Sequence, residues 1–525
     1  MKILKYITLS LALGLSITSC NDYLDTLPDD RAEINTISQV KDLLVSAYPT
    51  VNNNTVNEMM SDNVCDYGKT YGSTTLKDQL YHFKDVDDTG NDSPFNVWSG
   101  YYESVATVNH ALQELKKFPV DDEYKALEAE AKLVRAYSMF QLANTFCMSW
   151  NPEKADEYLG LPYPYEPAKY IGQKYDRGTL RALYENINKD IEEALPYVDD
   201  NLYSVPKYHF NKKAAYAFAA RFNLYYMNYD KCIEYANQVL GSDPTLLMRD
   251  YEQYTQFGAM DVGKKYIQTT EKSNLMLIQS YSAEFYYMIA GIYPRFSHNN
   301  YIASYCTYWA NAPWGKGSTD ALLYYSNMLY GSSACVYFPK NWLNMEITDK
   351  VNQTGYLHFV DPVFTGDETL LCRAEAYALC KDHRYDLAIN DINTWIKTHC
   401  RETSGSNVRP VLTEESLNKF FDDLDYSQLV TDWNFADVTI KNVLHPQGFT
   451  VNSGTEENIV NLVLHMRRLE TLYQGLRFMD VKRYGISFTH PLAREEALIF
   501  NKGDLRGAVQ LPSDVIKAGL AANPR

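Results

Sequence analysis

The sequence predicts a mostly α-helical protein, in which tetratricopeptide-like helix pairs form a scaffold and an irregular, aromatic-rich lobe is inserted between them. Three observations carry this prediction. Apolar residues recur at helical spacing over several long segments. The segment 229–237 recurs as 385–393, each time after a helix with small and aromatic residues, which is typical of stacked helix pairs. Residues 244–366 do not show this helical spacing of apolar residues.

The composition excludes some functions. The 525 residues carry a net charge of −17, a field that repels nucleic acid and anionic membrane surfaces. The nine cysteines form no C-x-x-C pair, so we expect no structural zinc. No H-E-x-x-H, G-x-S-x-G or G-x-G-x-x-G motif occurs, so we expect no catalytic residues and no cofactor. A glycosidase site with two catalytic carboxylates remains an alternative, because acidic residues are abundant.

The N-terminus is typical of an export signal. Lys2 and Lys5 precede an apolar run over 6–17, which is shorter than the ~20 residues that span a bilayer. The run ends in Ser-Ile-Thr-Ser-Cys20, which resembles a bacterial lipobox. We expect residues 1–19 to be a lipoprotein signal peptide and Cys20 to be lipidated. Ordinary cleavage with an incidental cysteine is the alternative.

Residues 55–96 are polar and aromatic with little period, and we interpret them as loops. Because function collects on loops held by rigid scaffolds, Asp62, Asn63, Tyr67 and Tyr71 are candidate ligand-binding residues. The acidic run 85–92 predicts a solvated turn. A calcium loop is the alternative, but Asn96 stands at the twelfth position, where a bidentate Glu would be needed.

The scaffold helices are predicted over about 98–243, 367–400 and 457–485. A helix pair buries its apolar face only by stacking on its neighbours. Some of the many tyrosines must therefore be core residues, namely Tyr137, Tyr225 and Tyr377.

The inserted lobe over 244–366 holds many aromatic residues among Gly, Ser, Asn and Pro, and a smaller polar lobe follows over 403–454. A long segment without regular structure inside a compact domain is usually functional or has its own fold. Trp309, Trp314 and Tyr324 are therefore the candidate ligand-binding residues of the lobe. No residue is a candidate metal ligand.

The last predicted helix covers about 462–485. Charges at i,i+3 spacing predict the pairs Arg467–Glu470, Arg477–Asp480 and Asp480–Arg483. Gly475 lies inside the apolar pattern, which suggests that another backbone or a large ring packs against it. Gly485 is expected to end the helix.

The segment 466–485, MRRLETLYQGLRFMDVKRYG, resembles the C-terminal signature of the SusD/RagB family, roughly E-R-R-x-E-L-x-x-E-G-x-R-x-x-D-L-x-R-x-G. Met466 and Gln474 stand where the family usually has Glu. Residues 98–109, 130–137 and 503–525 resemble other segments of the same family. The resemblance covers the whole chain in pieces and implies one SusD-like domain over 20–525.

The resemblance implies a lipoprotein anchored at the cell surface in the outer membrane. Such a protein captures a nutrient, most often a glycan, and delivers it to a SusC-like TonB-dependent transporter. Flat, rigid aromatic faces suit sugar rings, and Asp and Asn side chains orient hydroxyls. Peptide capture on the same scaffold is the first alternative, and a carbohydrate-active enzyme is the second.

Overall fold

The structure is a computed structural model that describes residues 34–170, 172–289, 292–340, 342–431 and 433–525. The predicted signal peptide over 1–19 and the lipidation site Cys20 lie outside these residues. None of the helices in the described part is both long and apolar enough to cross a membrane.

Helices are the main structural element, as predicted. In chain order they are α1 Ile37–Ser46, α2 Asn54–Met59, α3 Thr75–Tyr81, α4 Pro94–Leu115, α5 Asp122–Phe146, α6 Leu180–Ala194, α7 Lys212–Tyr225, α8 Tyr229–Leu240, α9 Ala259–Tyr266, α10 Asn300–Tyr305, α11 Gly317–Asp320, α12 Gly366–Leu379, α13 Tyr385–His399, α14 Glu414–Asp422, α15 Thr455–Glu470, α16 Leu476–Tyr484 and α17 Ser513–Lys517.

The strands are short and antiparallel. They are β1 Cys65–Asp66, β2 Asn274–Tyr281, β3 Phe296–Ser297, β4 Tyr330–Ser332, β5 Cys335–Tyr337, β6 Leu343–Asp349, β7 Thr354–Thr365, β8 Thr403–Ser404, β9 Asn407–Val408, β10 Phe488–Leu492 and β11 Glu495–Phe500. One three-stranded sheet has the order β2-β7-β6, and the pairs β1-β3, β4-β5, β8-β9 and β10-β11 form two-stranded sheets.

The predicted helix pairs are present and share a repeated polar contact. In the first pair, Arg135 on α5 makes two hydrogen bonds to Asp190 on α6 and one to Asn109 on α4. In a later pair, Arg373 on α12 makes the same contacts with Asp391 on α13 and Asn237 on α8. Each buried arginine thus links its own pair to the preceding helix. The tyrosines predicted to be core residues are all buried: Tyr137, Tyr225 and Tyr377.

The inserted lobe is more regular than the sequence predicts. Its apolar run Leu275–Ile278 is buried in β2 and pairs with β7 over most of its length. A fully buried strand loses the alternation that marks a half-exposed strand, so its period gives no signal. The acidic run 85–92 includes a turn in which Asp88 accepts from the Gly90 N–H, while Asp92 is buried against Ser282.

The predicted C-terminal helix is two helices, α15 and α16. Gly475 has a φ of +69° and separates them, and a Cβ there would lie 2.9 Å from the Cβ of Asn57 on α2. The close packing expected at Gly475 is therefore confirmed, but the continuous helix is wrong. Gly485 ends α16 with a φ of +55°, as expected.

The break between α15 and α16 changes the ion pairs. The Asp480–Arg483 pair is confirmed at 2.9 Å. The other two predicted pairs are wrong, because in the described residues Arg467 contacts Asp480 at 3.0 Å and Arg477 contacts Asp62 at 2.8 Å. Side chains before and after the break no longer follow the spacing of one helix.

Candidate functional site

Asp62 follows α2 and is held by two arginines of the C-terminal helices. Arg477 on α16 donates from Nε and Nη2 to its two carboxylate oxygens, at 2.8 Å each. Arg468 on α15 lies 3.3 Å away. Burial raises the pKa of Asp62, but the two guanidiniums outweigh burial and hold the pKa well below its usual range. Asp62 is therefore ionised, and its charge is largely neutralised.

Asn63 is fully buried and has a structural role. Its Nδ2 donates to Glu58 at 2.8 Å, and its Oδ1 accepts from Arg468 Nε at 2.7 Å. Both ends of the amide are bonded and the side chain is 0% exposed, so Asn63 is not accessible to a ligand. It fixes the arginine that faces Asp62.

Aromatic rings collect next to this ion-pair group around the buried Phe435, the others being at least partly exposed, and we call them the aromatic patch. Tyr67 and Tyr71 pack edge to face with ring centroids 5.0 Å apart. Tyr67 also lies 6.2 Å from Tyr301 and 6.5 Å from Trp433. Phe435 stacks on Tyr301 at 5.2 Å. The patch consists of Tyr67, Tyr71, Tyr301, Tyr305, Trp433 and Phe435.

Three chain segments meet in the patch, and local contacts fix two of them. Strand β1, just before Tyr67, pairs with β3, which brings loop 62–71 against the inserted lobe. Arg295 donates two hydrogen bonds to Asp66 and closes the same junction. Asn299 accepts from the first N–H groups of α10 and so orients the helix that carries Tyr301 and Tyr305.

The patch borders a cavity of about 250 Å³. Ile302 and Phe435 line it on the side of the patch, and Asp62 and Arg468 supply charged groups. Residues of the polar lobe, including Gln428 and Asn442, form another part of its wall. Half-buried rings beside a small, partly polar cavity have the chemistry to contact a ligand with both apolar faces and polar groups.

The remaining predicted ligand residues lie apart from the patch. Trp314 is 1% exposed, and its ring packs on Trp395 and His465 in the core, so it is not accessible to a ligand. Trp309 is half-buried and packs against the main core. Tyr324 lines a different cavity. Of the sequence candidates, the structure thus brings together Asp62, Tyr67 and Tyr71.

Four residues of the patch were not among the candidates from the sequence: Tyr301, Tyr305, Trp433 and Phe435. Trp433 and Phe435 come from the polar lobe 403–454, where the surrounding residues are Asn, Asp and Thr. Two aromatic residues in a polar segment must pack against another part of the chain, here the cluster that includes Ile302 and Cys306, and this signal could have found them. Tyr301 and Tyr305 belong to the inserted lobe, where so many residues are aromatic that the sequence does not distinguish these two.

Across the described residues, one group has the composition of a metal site: Asp367, His399 and Glu470, all buried. Its acceptor atoms are already used. Glu470 accepts from Tyr251 and Tyr325, and Asp367 accepts from Ser273 and from the Arg249 N–H. We interpret the group as a buried hydrogen-bond network that joins α12, α13 and α15.

The chain was compared with known proteins. Residues 22–224 match a SusD-like family whose description is "Starch-binding associating with outer membrane". No curated protein matches the sequence.

Solved structures match over nearly the whole chain. A SusD superfamily protein from Bacteroides thetaiotaomicron is 18% identical with a TM-score of 0.62, covering 94% of this chain and 100% of that one. A putative sugar-binding protein from Bacteroides vulgatus is 16% identical with a TM-score of 0.64, covering 94% and 99%. A laminarin-binding SusD-like protein is 15% identical with a TM-score of 0.53, covering 93% and 99%.

At these identities the solved structures establish the fold, and the family match covers the first scaffold helices together with loop 62–71. Residues 22–224 are thus similar to the SusD-like family, and the chain as a whole has the fold of the SusD-like structures.

Proposed function

We propose that this protein is a cell-surface lipoprotein that binds a glycan on the aromatic patch and delivers it to a SusC-like TonB-dependent transporter. The observation that carries the proposal is the patch itself. Rings from loop 62–71, the inserted lobe and the polar lobe meet at the surface beside a cavity with charged groups.

The energetics favour a ligand with flat apolar faces. A hydrogen bond to a sugar hydroxyl replaces one to water and contributes only ~0.5–1.5 kcal/mol net. Selective binding therefore also needs apolar faces that lose water on contact. Tyr71 is 40% exposed, and Tyr67, Tyr301 and Trp433 are half-buried, so the patch offers both rigid packing and accessible faces.

The charged groups near the patch support binding rather than hydrolysis. The carboxylate of Asp62 is bonded to two arginines, which keeps it ionised and removes it as a proton donor. General acid catalysis of glycoside cleavage needs a carboxyl group with a raised pKa. Asp62 has the opposite shift.

Two of the similar structures support a carbohydrate ligand, since one is described as a putative sugar-binding protein and another as laminarin-binding. The family description associates the group with the outer membrane. The delivery step and the transporter rest on the family resemblance. A lipid on Cys20 would hold the chain at the membrane, where a transporter could receive the ligand.

Isothermal titration calorimetry of the purified chain against glycan and peptide panels tests the ligand class. We expect binding to at least one glycan and no sugar release from it. Binding to peptides alone would move the assignment to peptide capture, and release of sugars would move it to an enzyme. Purification in mild detergent from cells that express the transporter tests the partnership; recovery of the chain alone would contradict delivery.

A further inference from the structure

A second cavity, which we call the Tyr324 cleft, lies between the start of the inserted lobe and the end of α13. Its volume is about 1080 Å³, against about 250 Å³ for the cavity beside the aromatic patch. Asp250 and Glu252 line it from the inserted lobe, and Lys397, Arg401 and Arg409 line it from α13 and the segment that follows. The cleft therefore combines an aromatic ring with groups of both charges.

Tyr324 lines the cleft together with both sets of charges. Burial raises its pKa first, and the carboxylates of Glu252 and Asp250 raise it further, while the guanidiniums of Arg409 and Arg401 oppose them. Groups of both charges thus act on Tyr324 within the same cleft. A ligand on this ring would have acceptors and cationic donors within that cleft.

The cations are positioned by backbone carbonyl groups. Arg409 donates from Nη1 to the carbonyls of Lys397 and Cys400 at the end of α13, at 3.1 and 3.0 Å. Arg401 donates from Nη2 to the Ala321 carbonyl at 3.1 Å. Carbonyl groups carry no net charge, so these contacts hold the guanidiniums in place without neutralising them.

The cations also lack strong ion pairs. No described carboxylate lies within 4.0 Å of the charged nitrogens of Lys397 or Arg401, and Arg409 has only the exposed Glu402 at 3.6 Å. The position of Arg409 is explained by capping of α13, because its guanidinium donates to carbonyl groups at the end of that helix. Capping does not explain the position of Arg401, whose guanidinium donates to the carbonyl groups of Ala321 and Leu323. Uncompensated cations are notable in a chain of net charge −17.

We propose that the Tyr324 cleft is a second carbohydrate-binding site, selective for sugars with a carboxylate, such as uronic acids. The sugar carboxylate would bind Arg401 and Lys397, the ring would pack on Tyr324, and hydroxyls would donate to Asp250 and Glu252. Guanidinium groups recognise carboxylates by paired, charge-assisted hydrogen bonds. Asp250 and Glu252 disfavour polyphosphates, which carry more charge and no hydroxyl donors of this kind.

The two sites would differ in the charge of their ligands. At the aromatic patch, Arg468 and Arg477 are paired with Asp62, so neither of these two cations is free to bind an anionic group. In the Tyr324 cleft, Lys397 and Arg401 stay available. A glycan with neutral and acidic residues could then contact both sites, each through the residues that suit it.

Calorimetry with an oligogalacturonide and its neutral methyl ester tests this proposal on the purified chain. We expect the acidic form to bind and the ester to bind at least roughly tenfold more weakly. Lys397→Gln and Tyr324→Ala should each weaken the acidic form by roughly tenfold or more. Binding of the acid should also weaken as salt is added.

Control variants separate this site from the patch. Lys350→Gln removes an exposed lysine outside the cleft and should leave binding of the acidic ligand unchanged. A neutral glycan titrated against the wild type reports on the aromatic patch alone, so failure of the glycan patch and failure of the cleft give different results. Equal binding of the acid and its ester, or binding unaffected by both Lys397→Gln and Tyr324→Ala, would overturn the proposal.

Discussion

Arg477 on α16 and Asp62 after α2 form a two-point ion pair, Nε to Oδ1 and Nη2 to Oδ2, both at 2.8 Å. The pair joins segments separated by 415 positions in the sequence. Arg477 is 2% exposed, so the pair lies in a medium where an unpartnered charge is costly. It connects the C-terminal helices to the loop that carries Tyr67 and Tyr71.

Replacing Arg477 with Ala should lower the free energy of unfolding by ~3–5 kcal/mol, because it leaves the Asp62 carboxylate with only the more distant Arg468. Chemical denaturation measures the loss. Arg181→Ala is the control, since its pair with Asp156 is exposed, and its unfolding midpoint should hardly change. Equal unfolding midpoints for Arg477→Ala and Arg181→Ala would show that burial does not strengthen the ion pair between Arg477 and Asp62.

Gly475→Ala should also destabilise the protein, by ~1–3 kcal/mol. The residue has a positive φ, and the new Cβ would lie 2.9 Å from the Cβ of Asn57. Gly178→Ala is a matched control: its φ is +64°, but nothing lies within 4 Å of the added Cβ. The difference in unfolding free energy between the two variants measures the cost of the close contact between the new Cβ and Asn57. Equal losses would mean that only backbone strain matters at Gly475.

The sequence predicts the scaffold well and the site only in part. Helix pairs repeat a local pattern, so the segments at 229–237 and 385–393 reveal the pairs. The partner of Arg477 could not be read from spacing, because Asp62 is distant in sequence and α15 and α16 are separate helices. For the same reason, Trp433 and Tyr67 could not be linked before the fold was known. Each comes from a different loop, and only tertiary contacts bring them together.

Acid should destabilise the protein through His298. Burial lowers the pKa of this histidine to about 4, below its usual 6.5, although its hydrogen bond to the Val336 carbonyl partly opposes burial. The unfolded chain therefore binds more protons between pH 6.5 and 4, and stability falls as pH drops through that window. From pH 7 to 5 the His298 contribution is ~2 kcal/mol.

His298→Gln removes this titration, so its unfolding free energy should fall less than that of the wild type between pH 7 and 5. Urea denaturation at both pH values measures the difference. His465 and His490 are buried with lowered pKa values in both proteins, so their contribution cancels. If the unfolding free energy of the wild type and of His298→Gln fell by the same amount between pH 7 and 5, this account of His298 would be contradicted.

The lipid anchor is tested at Cys20. The Ser-Ile-Thr-Ser-Cys sequence predicts lipidation, and multiple acyl chains hold a protein stably at a membrane. Cys20→Ala should therefore move the chain from the detergent phase to the aqueous phase in phase-separation experiments. Cys147→Ala, which changes a buried cysteine, is the control and should stay in the detergent phase. A Cys20→Ala protein that stays there too would refute lipidation.

Binding calorimetry on Tyr301→Ala and Trp433→Ala tests the proposed glycan site most directly, with circular dichroism to confirm folding. Removing a central aromatic anchor typically costs ~2 kcal/mol or more, so each variant should bind the glycan roughly 30-fold more weakly than the wild type. Tyr208→Ala removes an exposed ring outside the patch and should bind normally. Wild-type affinity in both patch variants, with the fold unchanged, would contradict glycan binding at the aromatic patch.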